Sequence, residues 1–177
     1  LCSIVELQKD DGMKFLFVSR WGLIHDLAWE VQKEGHEVRY YIQSKSDRDV
    51  ADGLVPKVDR WEDHKDAADV IVFDDSDFGE TCEKLRREGK AVVGGTKYTD
   101  RLEADRDFAT SEMAACGLTT LPSLDFDGFD AAIEHVRAHP DRYVVKPNGQ
   151  AQNEKVLSYV GQEEDGRDVV SILEHYK

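Results

Sequence analysis

Residues 13–42 read MKFLFVSRWGLIHDLAWEVQKEGHEVRYYI, and this stretch decides the fold class. It opens on a short apolar run, Phe15-Leu16-Phe17-Val18, of the length expected for a strand. Leu23, Leu27 and Val31, with their neighbours Ile24 and Ala28, then recur at helical spacing, and Gly35 supplies a stop. The spacing predicts a helix over 23–34, a turn at Gly35-His36-Glu37, and a second strand over 38–42. The same rhythm returns downstream: apolar runs at Val70-Ile71-Val72-Phe73 and Ala91-Val92-Val93 flank a helical stretch, Phe78 to Glu88, closed by Gly89. Strands alternating with amphipathic helices predict parallel pairing, and hence a small, doubly wound, parallel-sheet α/β domain ending near Gly94-Gly95.

Beyond those glycines the pattern predicts an α+β lobe. Asp100 to Cys116 reads as one long helix with Leu102, Phe108, Ala109 and Met113 on its apolar side, stopped by Gly117. A helix over 129–139 ends at Pro140. Tyr143-Val144-Val145-Lys146 reads as a strand, 147–154 as a polar loop, and 156–160 as a hairpin partner. Val169, Ile172, Leu173 and Tyr176 space a final helix. The expected organisation is an extension or cloning remnant over 1–12, an α/β domain over 13–95 and a partial lobe over 96–177. The segment before Met13 is too short and too charged for a signal peptide.

The 177 residues carry 37 acidic and 23 basic side chains, a formal net charge of −14. Such a surface repels nucleic acid and anionic membranes, so neither is expected as a partner. Dispersed carboxylates suit solubility in a high-salt cytoplasm. Three scattered cysteines, Cys2, Cys82 and Cys116, without C-x-x-C spacing, argue against a disulfide framework or a zinc site and for a reducing compartment.

Three places carry candidate chemistry. Ser19-Arg20-Trp21-Gly22 delivers the first strand to a helix amino terminus, where backbone amides favour an anion, and His25 stands within its first turn. With one glycine this is no dinucleotide signature, and a plain connection with a surface histidine explains it as well. Gly94-Gly95-Thr96-Lys97 can cradle an anion, although an interdomain hinge is the better reading. Arg106 on the following helix has Glu103 or Asp107 as ordinary partners, while Lys146 closes an apolar strand before a glycine-bearing loop, a placement that can pin a phosphate.

Their order and local text are more specific than any one of them. Gly94-Gly95-Thr96-Lys97, Arg101-Leu102-Glu103, Arg106, Phe108-Ala109 and Met113 resemble the "GPTK…LE…K-x-F-A…M" stretch of the phosphoribosylamine-glycine ligases, members of the ATP-grasp superfamily. Residues 144–151, VVKPNGQA, resemble that family's "VVKADGLA", and His25 with Leu27-Ala28-Trp29 resembles its "GGREHALAW". The likeness runs from Met13 onward. It implies a cytoplasmic, ATP- and Mg2+-dependent ligase that joins glycine to phosphoribosylamine through an acyl phosphate. It also implies Arg106, Lys146, Gly149 and Lys155 at the ATP, with residues 147–155 as a flap, and Gly22, His25, Gly94, Gly95 and Lys97 near the substrates. Other acceptors, or a non-catalytic nucleotide-binding module, are the alternatives. Arg106 replaces the usual lysine, Trp21, Leu23 and Ile24 replace glycines and an Arg-Glu pair, and Glu154 stands in a lysine's place. The family's metal carboxylates are expected beyond Lys177, so ligation by this chain alone is not expected, and a homo-oligomer is possible.

Overall fold

A computed structural model describes residues 12–147 and 157–177. The chain divides into two compact units, Leu1–Arg101 and Leu102–Lys177.

The first unit is a four-stranded parallel sheet in the order β2-β1-β3-β4. Its strands are β1 (Lys14–Ser19), β2 (Glu37–Ile42), β3 (Val70–Phe73) and β4 (Ala91–Val93), with helices α1 (His25–Lys33) and α2 (Gly79–Arg87) in the crossovers. Alternation along β1 divides two cores: Phe17 packs with Ala28, Val38, Tyr40 and Val72 on one face, while Leu16 and Val18 pack with Ile71, Phe73, Cys82 and Leu85 on the other. Both faces are therefore covered, which is why the strands read as continuous apolar runs and why the sheet is doubly wound as expected. The outer edge of β2 is also engaged, since Tyr40 N donates to Pro56 O at 2.9 Å and Val58 N to Tyr40 O at 2.9 Å. Such pairing keeps an open edge from recruiting another chain.

Helix α1 departs from expectation. It begins at His25, two residues later than the periodicity indicates, because Gly22 turns the chain at φ +84°. The inward stripe is Ile24, Ala28 and Val31, leaving Leu23 67% and Leu27 50% exposed.

Across the boundary between units lies a further correction. The single helix expected over 100–116 is two, α3 (Lys97–Ala104) and α4 (Arg106–Ala115). Asp105 breaks it: its backbone is extended (φ −122°, ψ 96°) and its carboxylate accepts from Phe108 N. An aspartate offering that bond favours a new helix start over continuation.

The second unit continues with α5 (Phe129–Ala138), an antiparallel pair β5 (Val144–Val145) and β6 (Tyr159–Val160), and α6 (Arg167–Tyr176). Each strand is shorter than its apolar run. Ile133 and Val136 of α5 meet Val169 and Leu173 of α6 in a four-residue buried core. Met113, Leu118, Leu121, Leu124 and Phe126 stay exposed. Among the described residues no helix is long and apolar enough to cross a membrane.

Candidate functional site

In the sheet order, the connection from β1 leads outward to β2 and that from β3 leads the other way to β4. The carboxyl ends of β1 and β3 therefore flank the switch point where doubly wound sheets open a crevice. Ser19, fully buried, ends β1. Its hydroxyl donates to Asp74 Oδ2 at 2.6 Å and accepts from Gly22 N at 2.7 Å. Gly22 has a steric reason to be glycine, since a Cβ there would lie 3.0 Å from Val50 Cγ1 in a left-handed turn. Its carbonyl meets His25 Nδ1 at 2.9 Å. A carbonyl only accepts, so Nδ1 carries the proton, and the neutral ring keeps Nε2 as an acceptor.

Asp74 is half-buried, and burial pushes its carboxyl above the usual range. The Asp75 charge adds to the rise, while Ser19 and the backbone amides of Asp74 and Ile24 oppose it. Tyr40 reaches the same place from β2. Burial, opposed by Ser19 and reinforced by Asp74 and Asp26, pushes its hydroxyl up to about 12. Arg20 is held to Asp77 at 3.1 Å, with its guanidinium 5.7 Å above the Phe78 ring centroid. Four buried polar atoms of this cluster lack a hydrogen-bond partner: Arg20 Nε, the Tyr40 hydroxyl, Asp74 Oδ1 and Asp75 Oδ2.

The glycine junction after β4 presents a different chemistry. Arg86 of α2 donates to the carbonyls of Gly94 at 2.6 Å and Gly95 at 2.7 Å, so one guanidinium staples both residues. A Cβ on Gly94 would lie 2.8 Å from Cys82 Sγ. Lys97 pairs with Glu80 at 2.7 Å, and its backbone amide donates to Glu83. The opening of α2 is closed in turn by Asp100, which accepts from Gly79 N at 2.7 Å.

In the second unit, Arg106 opens α4 directly after the Asp105 cap. Its Nη1 donates to the carbonyl of Pro147 at 2.5 Å. Pro147 follows Lys146, an exposed residue just past β5, so two cations distant in sequence come to one strand end. Gly149 and Lys155 lie outside the described residues. The far side of this sheet is anchored by Asp168, which accepts from Gln162 N at 2.7 Å and Tyr159 Oη at 3.1 Å. The Gln162 amide is the largest of several causes that lower its carboxyl.

No family model matches the chain. Over 155 residues it is 23% identical to a phosphoribosylamine–glycine ligase of Neisseria meningitidis serogroup A, a match covering 82% of this chain and 36% of that protein. Its structure is similar to that of N5-carboxyaminoimidazole synthetase from Staphylococcus aureus complexed with ADP: the TM-score is 0.58, with 17% identity over 92% of this chain and 44% of that one. The two share a fold over that span. A second structure, N5-carboxyaminoimidazole ribonucleotide synthetase from Thermotoga maritima, gives a TM-score of 0.55 at 15% identity, over 86% of this chain and 41% of that one. Weak homology to a ligase thus accompanies a fold shared with these synthetases, and the chain spans less than half of each protein matched.

Sequence reasoning missed Asp74, Asp75 and Tyr40 at the switch point, and Arg86 at the glycines. The first two were findable: they directly follow the third apolar run, and in a doubly wound sheet that position borders the crevice. Tyr40 was hidden inside a strand, and Arg86 on a helix of ordinary charged composition.

Proposed function

We propose that this chain supplies the acceptor-binding α/β domain (13–95) and the first lobe (96–177) of an ATP-dependent carboxylate–amine ligase of the cytoplasm. The observation that carries the reading is the Arg106 guanidinium on the carbonyl next to Lys146, in a fold shared with a protein complexed with ADP. Two cations at one strand end suit a polyphosphate, because each offsets charge that would otherwise repel an incoming carboxylate. Gly149 and Lys155 would extend the same site from the flap.

In the proposed reaction a carboxylate oxygen attacks the terminal phosphorus of ATP and ADP leaves. The amine then attacks the acyl carbon, and inorganic phosphate leaves with the bonding electron pair. Glycine and phosphoribosylamine, as in purine biosynthesis, are the substrates the homology favours. Gly22 and His25, together with Gly94, Gly95 and Lys97, would lie on the acceptor's side. Among the described residues no three His, Cys, Asp or Glu side chains group to fit a metal ion. A different acceptor is the second reading, favoured by Trp21, Leu23 and Ile24 in the first loop.

Calorimetric titration of the chain with ADP tests the nucleotide site. Arg106→Ala and Lys146→Ala are each expected to weaken binding by about tenfold, the effect of losing one charge-assisted contact. Absence of ADP binding at millimolar concentration, or variants that bind like the parent, would defeat the proposal.

A further inference from the structure

We infer that the carboxyl ends of β1 and β3 bind the protonated amine of a ligand and reject a phosphate group. The inference rests, for its place in a reaction, on reading the first unit as the acceptor-binding part, and within that reading it favours the second alternative, an acceptor other than phosphoribosylamine, whose phosphate this place would repel.

The amino terminus of α1 is the natural seat for a phosphate. At its entrance the Gly22 amide is committed to Ser19 Oγ at 2.7 Å, and that hydroxyl is bound in turn to the Asp74 carboxylate. An anion arriving there would meet the Asp74 carboxylate, with Asp26, Asp75 and Asp77 as further negative charges around it. The one nearby arginine, Arg20, already binds Asp77 through Nη1 and lies over the Phe78 ring, leaving its buried Nε without a partner.

The other three unmatched atoms of the cluster have the opposite demand. Asp74 Oδ1 and Asp75 Oδ2 are buried acceptors without donors, and the Tyr40 hydroxyl, on a residue with no exposed surface, is unpartnered beside Ser19 and Asp74. An ammonium group offers three donors and no acceptor. It would donate to oxygens that have no donor and neutralise the carboxylate pair. A neutral hydroxyl would satisfy one or two of them and leave the charge uncompensated.

Binding should also depend on pH in a defined direction. The amine needs Asp74 ionised, and Asp74 is flanked by Asp75, Ser19 and Tyr40, with Asp26, Arg20 and His25 in the surrounding turn. Affinity therefore falls as pH drops through the raised Asp74 value.

The test is a titration of the 15N-labelled chain at constant ionic strength with putrescine, inorganic phosphate or 1,4-butanediol, read from backbone amide shifts. Putrescine is expected to move the amides of residues 19–25 and 74–77 saturably, with phosphate and the diol leaving them in place. Asp74→Asn and Asp75→Asn, two variants in case one fails to fold, should each weaken putrescine by about tenfold, the effect of one charged hydrogen bond. Shifts by phosphate without putrescine, equal binding of the diol, folded variants that bind like the parent, or no response to any probe would each overturn the inference. Its failure is separable from that of the ligase reading, which is judged on ADP at Arg106 and Lys146 regardless of the diamine.

Discussion

At the ends of β1 and β3 the charged side chains are mostly carboxylates, partly buried and short of donors, whereas the end of β5 carries an exposed lysine and an arginine tied to a main-chain carbonyl. Each place is built at the carboxyl end of a strand, yet the two offer charge of opposite sign. The contrast teaches that strand-end position marks where a ligand can approach, while the ionic groups set there decide its chemistry. The ligase reading proposed above has a use for both kinds of place, one to hold an amine, which must lose its proton before it attacks, and one for the polyanion.

The comparison depends first on each unit keeping its own core. Ile71 has no exposed surface and packs at the centre of one sheet face. Ile71→Ala is expected to cost about 2–5 kcal/mol in urea denaturation. The loss of putrescine binding should follow this variant's unfolding transition. A cost below about 1 kcal/mol would mean that the sheet is not packed on both faces as described.

A smaller effect is expected in the second unit. Asp105→Ala removes the cap of α4 and should cost about 1 kcal/mol, with Asp105→Asn or Asp105→Ser restoring most of it. Because Arg106 is the next residue, the alanine variant should also weaken ADP. Unchanged stability would show that something other than the Asp105 side chain breaks the helix.

The smallest effects are pH slopes, and they run in opposite directions. Asp74 is raised in the fold, so its contribution makes the protein more stable as pH falls from neutral through that raised value toward the ordinary carboxylate range. Asp168 is lowered, so the stability it gives is present above the ordinary value and is lost as pH falls through the lowered one. Urea midpoints measured against pH should show Asp74→Asn removing the first slope and Asp168→Asn the second. Slopes of the same sign would remove the electrostatic half of the comparison.

The sheet was legible in the sequence because both its faces are covered, so that Phe15 to Val18 and Val70 to Phe73 appear as unbroken apolar runs flanked by helical spacing. The second unit was less so. Its strands are two residues each, and Asp105 breaks a periodicity that otherwise continues through 100–116. A cap outweighs spacing there because one side-chain hydrogen bond is enough to redirect a chain whose apolar stripe is narrow. Of the site, Gly22 and His25 were visible from their turn. The acidic character around them was not, since it depends on Asp74, Asp75 and Tyr40 arriving from other strands.

One titration bears on the whole account: a single 15N-labelled sample brought to saturation with ADP and then with putrescine. ADP should move the amides of residues 105–108 and 143–146, and putrescine those of 19–25 and 74–77, the two sets remaining distinct. ADP acting on the β1 and β3 ends, or both ligands moving one common set, would contradict the claim that this chain holds two strand-end sites of opposite charge.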